Sequence, residues 1–130
     1  MGCDLVRVLI LDDELERHAE FDAIYAGHEV THTVSYTQFI KELIGGSPWD
    51  LIHLDHDLGH GDSYLDGWGN SQFYTGRHAG ERICELKEEE LPNEVIVHSM
   101  NPLGSQNILF NLRARRIPSS WRPYNTLLRK

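Results

Sequence analysis

The apolar positions fall into short, separate groups along the chain. Leu5 to Leu11 is a nearly continuous apolar run closed by Asp12-Asp13, the pattern of a strand buried on both faces, as in a parallel sheet. The next segment, about Glu14 to Tyr25, reads as a helix with Gly27 as its stop. Glu29 to Val34 has the weaker alternation of an edge strand. Ser35 and Gln38 form an S-x-x-Q capping pattern. Phe39, Ile40, Leu43 and Ile44 follow it at helical spacing, and Gly45-Gly46 ends that helix. Asp50 to Asp55 is predicted as the third strand, His78 to Glu90 as a helix, and Glu94 to His98 as the fourth strand. Ser105 to Arg115 reads as another helix, and the tail holds one short strand near Trp121 and a final half-helix. Strands alternating with helices imply right-handed crossovers and a parallel sheet. The expected fold class is α/β, a single-domain doubly wound parallel sheet over residues 1–130.

One stretch breaks the rhythm. Residues from about 58 to 76 hold Gly59, Gly61, Gly67, Gly69 and Gly76 with Tyr64, Trp68, Phe73 and Tyr74, in no clean period. A loop this long inside a compact domain is usually functional or disordered, and its aromatic residues argue against plain disorder. It is read as an insertion.

Composition narrows the function classes. A chain of 130 residues is long enough to bury a core. Cys3 and Cys84 form no C-x-x-C pair, which removes zinc-ribbon and redox motifs. No apolar run reaches the length of a membrane span, and no basic-then-apolar leader opens the chain; a cytoplasmic protein is expected. The net charge of −8 does not suit a strong nonspecific grip on nucleic acid. It leaves room for a small anion held by a few cations and a metal. The late basic residues Arg113, Arg115, Arg116 and Arg122 could steer such an anion.

Ligands bind outside the carboxyl ends of the strands in open α/β sheets, and here those ends are polar. The first strand ends in Asp12-Asp13, the third in Asp55-His56-Asp57, the fourth in His98-Ser99-Met100-Asn101. Two carboxylates about 4 Å apart repel by roughly 4 kcal/mol at an effective dielectric of 20. Such a cluster stays ionised only around a cation, or else it holds protons. Asp12, Asp13 and Asp55 are therefore the candidate metal ligands, for Mg²⁺ or Mn²⁺ first; the adjacent histidines leave room for a transition metal. Each aspartate taken singly could instead cap a helix or close a turn. His56 and His98, at strand ends, are candidate general acids or bases, with Asp57 assisting. His53 is expected in the core. His18, His28, His32, His60 and His78 are expected at the surface. Ser99 lies outside any G-x-S-x-G turn, so it is an oxygen-binding hydroxyl rather than a nucleophile. No phosphate-cradling glycine motif of a triphosphatase or dinucleotide enzyme is present.

These three strand ends resemble the receiver domains of two-component signalling. That resemblance implies a receiver or flavodoxin-like strand order 2-1-3-4-5, an acidic pair at Asp12-Asp13 for Mg²⁺, a phosphoacceptor at Asp55 and a hydroxyl at Ser99. Arg122-Pro123 stands where that family has Lys-Pro. The full motif set is closer to one offshoot. Leu11-Asp12-Asp13 with Arg17, Asp55-His56-Asp57-Leu58 and His98-Ser99-Met100-Asn101 are similar to the L-D-D, D-H-D-L and H-S-x-N motifs of the cyclic-phosphate-processing receiver-like domains. That family implies the handling of cyclic phosphates, in RNA repair or nucleotide metabolism; with the acidic cluster, the expected function is a metal-dependent phosphoesterase acting on cyclic phosphates of nucleotides or RNA ends. Asn101, Arg122 and Trp68 would then bind substrate, the last by stacking on a base. Two other functions remain open: a stand-alone signalling receiver phosphorylated on Asp55, and a non-catalytic module that binds a nucleotide or a protein partner.

Overall fold

The computed structural model describes residues 5–59 and 62–127. Five strands form the main sheet: β1 (Arg7–Leu11), β2 (Glu29–Thr33), β3 (Leu51–Leu54), β6 (Glu94–Val97) and β7 (Ser119–Trp121). Their order is β2-β1-β3-β6-β7, and every neighbouring pair is parallel. Counting only the strands of this sheet, that order is 2-1-3-4-5. Helices α1 (Leu15–Ile24), α2 (Tyr36–Gly46), α3 (Gly76–Cys84), α4 (Pro102–Ala114) and α5 (Tyr124–Leu127) make the crossovers and the end of the chain. Among the described residues, no helix is long and apolar enough to cross a membrane.

Strand residues alternate between the two faces of a sheet, and this alternation divides the core in two. Leu9, Leu11, Ile52, Leu54, Val95 and Val97 belong to one cluster, with Phe39, Leu43, Ile83, Ile108 and Leu112 from α2, α3 and α4. Val8, Ile10, Leu51 and Ile96 belong to the other, with Phe21 of α1 and Tyr124 of α5. The central strands are apolar because both of their faces are covered.

Helix ends follow their local chemistry. Ser35 caps α2 by accepting the Gln38 N–H at 3.2 Å, and the Gln38 side chain accepts the Val34 N–H at 2.9 Å. Asn101 caps α4 by accepting the Gly104 N–H at 2.9 Å, with Pro102 in the first turn, where its missing N–H costs nothing. Helix α4 thus begins three residues earlier than the periodicity of its apolar residues suggests. The third helix differs more. It runs from Gly76 to Cys84 under a Thr75–His78 capping box, and the segment predicted as its second half is a separate 3-10 turn, Glu88–Glu90. Three adjacent glutamates there offer no apolar face to hold a longer helix.

Within the insertion, β4 (Ser63–Leu65) and β5 (Ser71–Phe73) pair as an antiparallel hairpin. It is docked through one face. Tyr64 donates to His78 Nε2 or accepts from it at 3.1 Å, and Tyr74 stacks on Tyr36 with ring centroids 3.9 Å apart. Asp66 holds the turn by accepting the N–H groups of Trp68 and Asn70 at 2.8 and 2.9 Å. The hairpin escaped the periodicity argument because each strand is only three residues long.

Candidate functional site

The site follows from strand parity. Val8, Ile10 and Asp12 share one face of β1 and its extension; Leu51, His53 and Asp55 do so on β3, and Ile96 and His98 on β6. Leu11, Leu54 and Val97 are in register across the sheet. The next residue of each strand, Asp12, Asp55 or His98, therefore projects on the α1 face at the carboxyl end. All three are buried, and their ligand atoms lie within 4.8 Å of one another.

The two aspartates are not equivalent. His98 Nε2–H donates to Asp12 Oδ2 at 2.7 Å, and the Glu14 N–H donates to Asp12 Oδ1 at 2.8 Å. Burial alone would raise the Asp12 carboxyl, but the His98 bond and charge, the Glu14 N–H and Arg17 outweigh it and hold it below the usual range. Asp55 is pushed up to about 7, first by burial and then by the charge of Asp12; Arg17 and the His56 N–H oppose this only in part. Asp13 is also raised, by burial and by Asp12. Near neutrality the pair holds one firm negative charge and one proton ready to leave. The His98 imidazole is itself lowered, because burial outweighs the hydrogen bond and charge of Asp12 that raise it.

Arg17, one turn into α1, supplies the cation. Its guanidinium lies 3.3 Å from Asp12 Oδ2 and 3.5 Å from Asp55 Oδ2, and rests over the Tyr124 ring at 4.8 Å. Asp55 and Arg17 open to a cavity of about 270 Å³ lined also by Asp13, Glu14, Asp57, Gly59 and Met100. Asp12, Asp55 and His98 could hold a metal ion, and two carboxylates among the three donors suit a hard divalent cation.

Other residues singled out from the sequence take varied places. His56 is partly exposed; its Nδ1 pairs with Asp57 Oδ1 at 2.9 Å, and its ring lies on Gly104, where a Cβ would meet it at 2.5 Å. Ser99 Oγ is buried and accepts the Asn101 N–H at 3.0 Å. Asn101 is a helix cap first, and its Nδ2 lies 3.5 Å from His56 Nδ1. Arg122 is not brought to the aspartates. It follows the edge strand β7, makes no bond to Asp12, Asp13 or Asp55 among the described residues, and its charge acts on Tyr25 and His53 instead. Trp68, 90% exposed at the hairpin turn, is not among the cavity-lining residues. His53 is in the core as expected. His18, expected at the surface, is buried in α1, because its Nε2–H is used on the Asp12 carbonyl at 2.7 Å. His60 lies outside the described residues.

Strand-end reasoning alone does not reach Arg17, which enters the sequence reading only through the family resemblance. A second signal lay in its spacing: a cation four residues after Asp13, on the first turn of a helix, returns toward the strand end it just left.

Residues 7–114 match the family described as the cyclic-phosphate processing receiver domain. The chain belongs to that family. Its match begins at β1 and ends with α4, so it contains all three motifs and Arg17. Solved structures agree on the shape of this cyclic-phosphate processing receiver domain. A CheY-like response regulator receiver domain from Methylobacillus flagellatus has a TM-score of 0.64 at 12% identity, covering 92% of this chain and 86% of that one. A CheY-like receiver from Methanospirillum hungatei has a TM-score of 0.60 at 17% identity, covering 92% and 83%. The signal receiver domain of a Luxo repressor protein from Vibrio parahaemolyticus has a TM-score of 0.62 at 16% identity, covering 92% and 78%. At these identities the likeness is one of fold. No curated protein matches the chain.

Proposed function

We propose that this protein is a metal-dependent phosphoesterase that opens cyclic phosphates on nucleotides or RNA ends. The observation that carries the proposal is the buried Asp12–Asp55–His98 cluster with Arg17 beside it, Asp55 and Arg17 lining a cavity of about 270 Å³. Membership of the family supports the substrate class.

Asp12 and Asp55, with Asp13, would hold a divalent ion, Mg²⁺ or Mn²⁺, which when bound polarises a phosphoryl oxygen. The rest is done by the chain itself. Arg17 faces the cavity with paired donors suited to two phosphate oxygens, and Tyr124 fixes its plane. His56, its Nδ1 paired with Asp57, would move a proton at the ester oxygen. His98 is sealed from solvent and orients Asp12. Ser99 and Asn101 hold the β6–α4 corner against His56. Trp68 offers a stacking face to a base further along an RNA end.

The test is turnover of 2′,3′-cyclic nucleotides and of an RNA with a cyclic-phosphate end, with Mg²⁺, Mn²⁺ or EDTA. Metal-dependent ring opening lost in Asp55→Asn is the expected result. No turnover with any metal by folded protein would overturn the proposal.

A second reading is favoured by the position of Asp55 at the end of β3 in a receiver fold: phosphorylation on Asp55 by a signalling kinase. A stable, stoichiometric phospho-Asp55 after treatment with acetyl phosphate would support it. Arg122, standing where that family has lysine, counts against it.

A further inference from the structure

Two histidines outside the acidic cluster have a bonding pattern that demands a cation. His18 Nε2 lies 2.7 Å from the Asp12 carbonyl, and His32 Nε2 lies 2.7 Å from Asp22 Oδ1. A carbonyl and a carboxylate only accept, so each ring carries its proton on Nε2. Each Nδ1 is then left with a lone pair. Those two Nδ1 atoms face each other at 2.5 Å, with the rings edge to face at 82°. Two neutral imidazoles cannot meet in this way. Something positive belongs between them.

We propose that His18 and His32 form a second metal site, for a borderline transition-metal ion of the Zn²⁺ type, held through their two Nδ1 atoms. Metal-binding histidines nearly always donate their other N–H to a carboxylate or a backbone carbonyl, which fixes the tautomer and raises ligand basicity. Here one ring has the carbonyl and the other the carboxylate. Imidazole nitrogen selects Zn²⁺, Cu²⁺ or Ni²⁺ over Mg²⁺, so this site and the oxygen-rich one sort different metals. Tetrahedral Zn²⁺ with Zn–N bonds of about 2.0–2.1 Å needs the two nitrogens roughly 3.3 Å apart. His32 can give way by that amount. It sits on the edge strand β2 with its side chain 28% exposed, whereas His18 is fixed in α1. That exposure also provides the entry path. Water or another small ligand would complete the coordination. The site is independent of the phosphoesterase reading.

The measurement is imidazole ¹⁵N NMR of the full chain during Zn²⁺ titration, with excess Mg²⁺ present to occupy the carboxylates. One equivalent of Zn²⁺ should shift the Nδ1 signals of His18 and His32 and leave their Nε2 protons in place. His32→Gln should abolish that shift, and Asp22→Asn, a change at an exposed residue, should weaken Zn²⁺ binding by about 10–100-fold. Mg²⁺ binding should be unchanged in both variants. Nδ1 signals that ignore Zn²⁺ would show that the pair only shares a proton, and would overturn the proposal. So would Zn²⁺ binding undiminished in His32→Gln.

Discussion

The raised carboxyl of Asp55 makes the stability of the metal-free protein depend on pH in a definite direction. A carboxyl whose folded pKa, about 7, exceeds its unfolded value of 3.8 contributes stability that is complete below pH 4. That stability is lost as pH rises to 7. The difference amounts to roughly 4 kcal/mol by linkage. Buried His53 and His98 act in the opposite sense: both are lowered, first by burial, so they cost stability as pH falls below 6.5. Comparing variants separates the two effects. Without divalent metal, Asp55→Asn should exceed the wild type in stability at pH 8 by a few kcal/mol, and the gap should close near pH 4 in urea denaturation. Mg²⁺ should raise the melting temperature of the wild type more at pH 8 than at pH 5, because only the ionised pair repels. The cations differ too. Arg17→Ala is expected to lower kcat/KM on a cyclic nucleotide by about 100-fold, the scale of losing a placed oxyanion donor. Arg122→Ala should change it by less than about twofold, since surface changes remote from a site do little.

At the scale of elements, close packing of backbone on backbone positions the chemistry. The start of α3 lies so near the end of β3 that a Cβ on Gly76 would fall 1.9 Å from the Asp55 carbonyl oxygen. Gly76→Ala should therefore cost about 3 kcal/mol or more in urea denaturation, at the upper end of overpacking effects. Gly104→Ala meets a side chain instead, the ring of His56; its expected signature is a fall in turnover with a smaller loss of stability. Legibility in the sequence divides along the same line. The three central strands could be read because each is a short, mainly apolar run followed by polar residues, and Asp12, Asp55 and His98 could be picked out because strand ends converge. The hairpin could not be read, since three-residue strands have no measurable period and are held by the Tyr36, Tyr64, Tyr74 and His78 rings. Nor could the burial of His18, which depends on a carbonyl 6 residues away.

For the whole molecule, one fold serves both a buried charge cluster and an exposed arm. Trp68→Ala should leave stability within about 0.5 kcal/mol of wild type, as for other exposed positions. It should also leave turnover of a cyclic mononucleotide unchanged, while raising KM for an RNA oligomer; paired assays on the two substrates check this. The route of the chain around that arm has a consequence for ancestry. The Gly76 N–H donates to the His56 carbonyl at 2.8 Å, so the segment between them leaves and rejoins the body of the protein at adjacent points. A loop with pinned ends can grow, shrink or be replaced at a small entropic penalty, and the strands on either side need not shift. Descendants of one scaffold could exchange this arm as a cassette, altering which polymer ends are admitted while inheriting the acidic cluster unchanged.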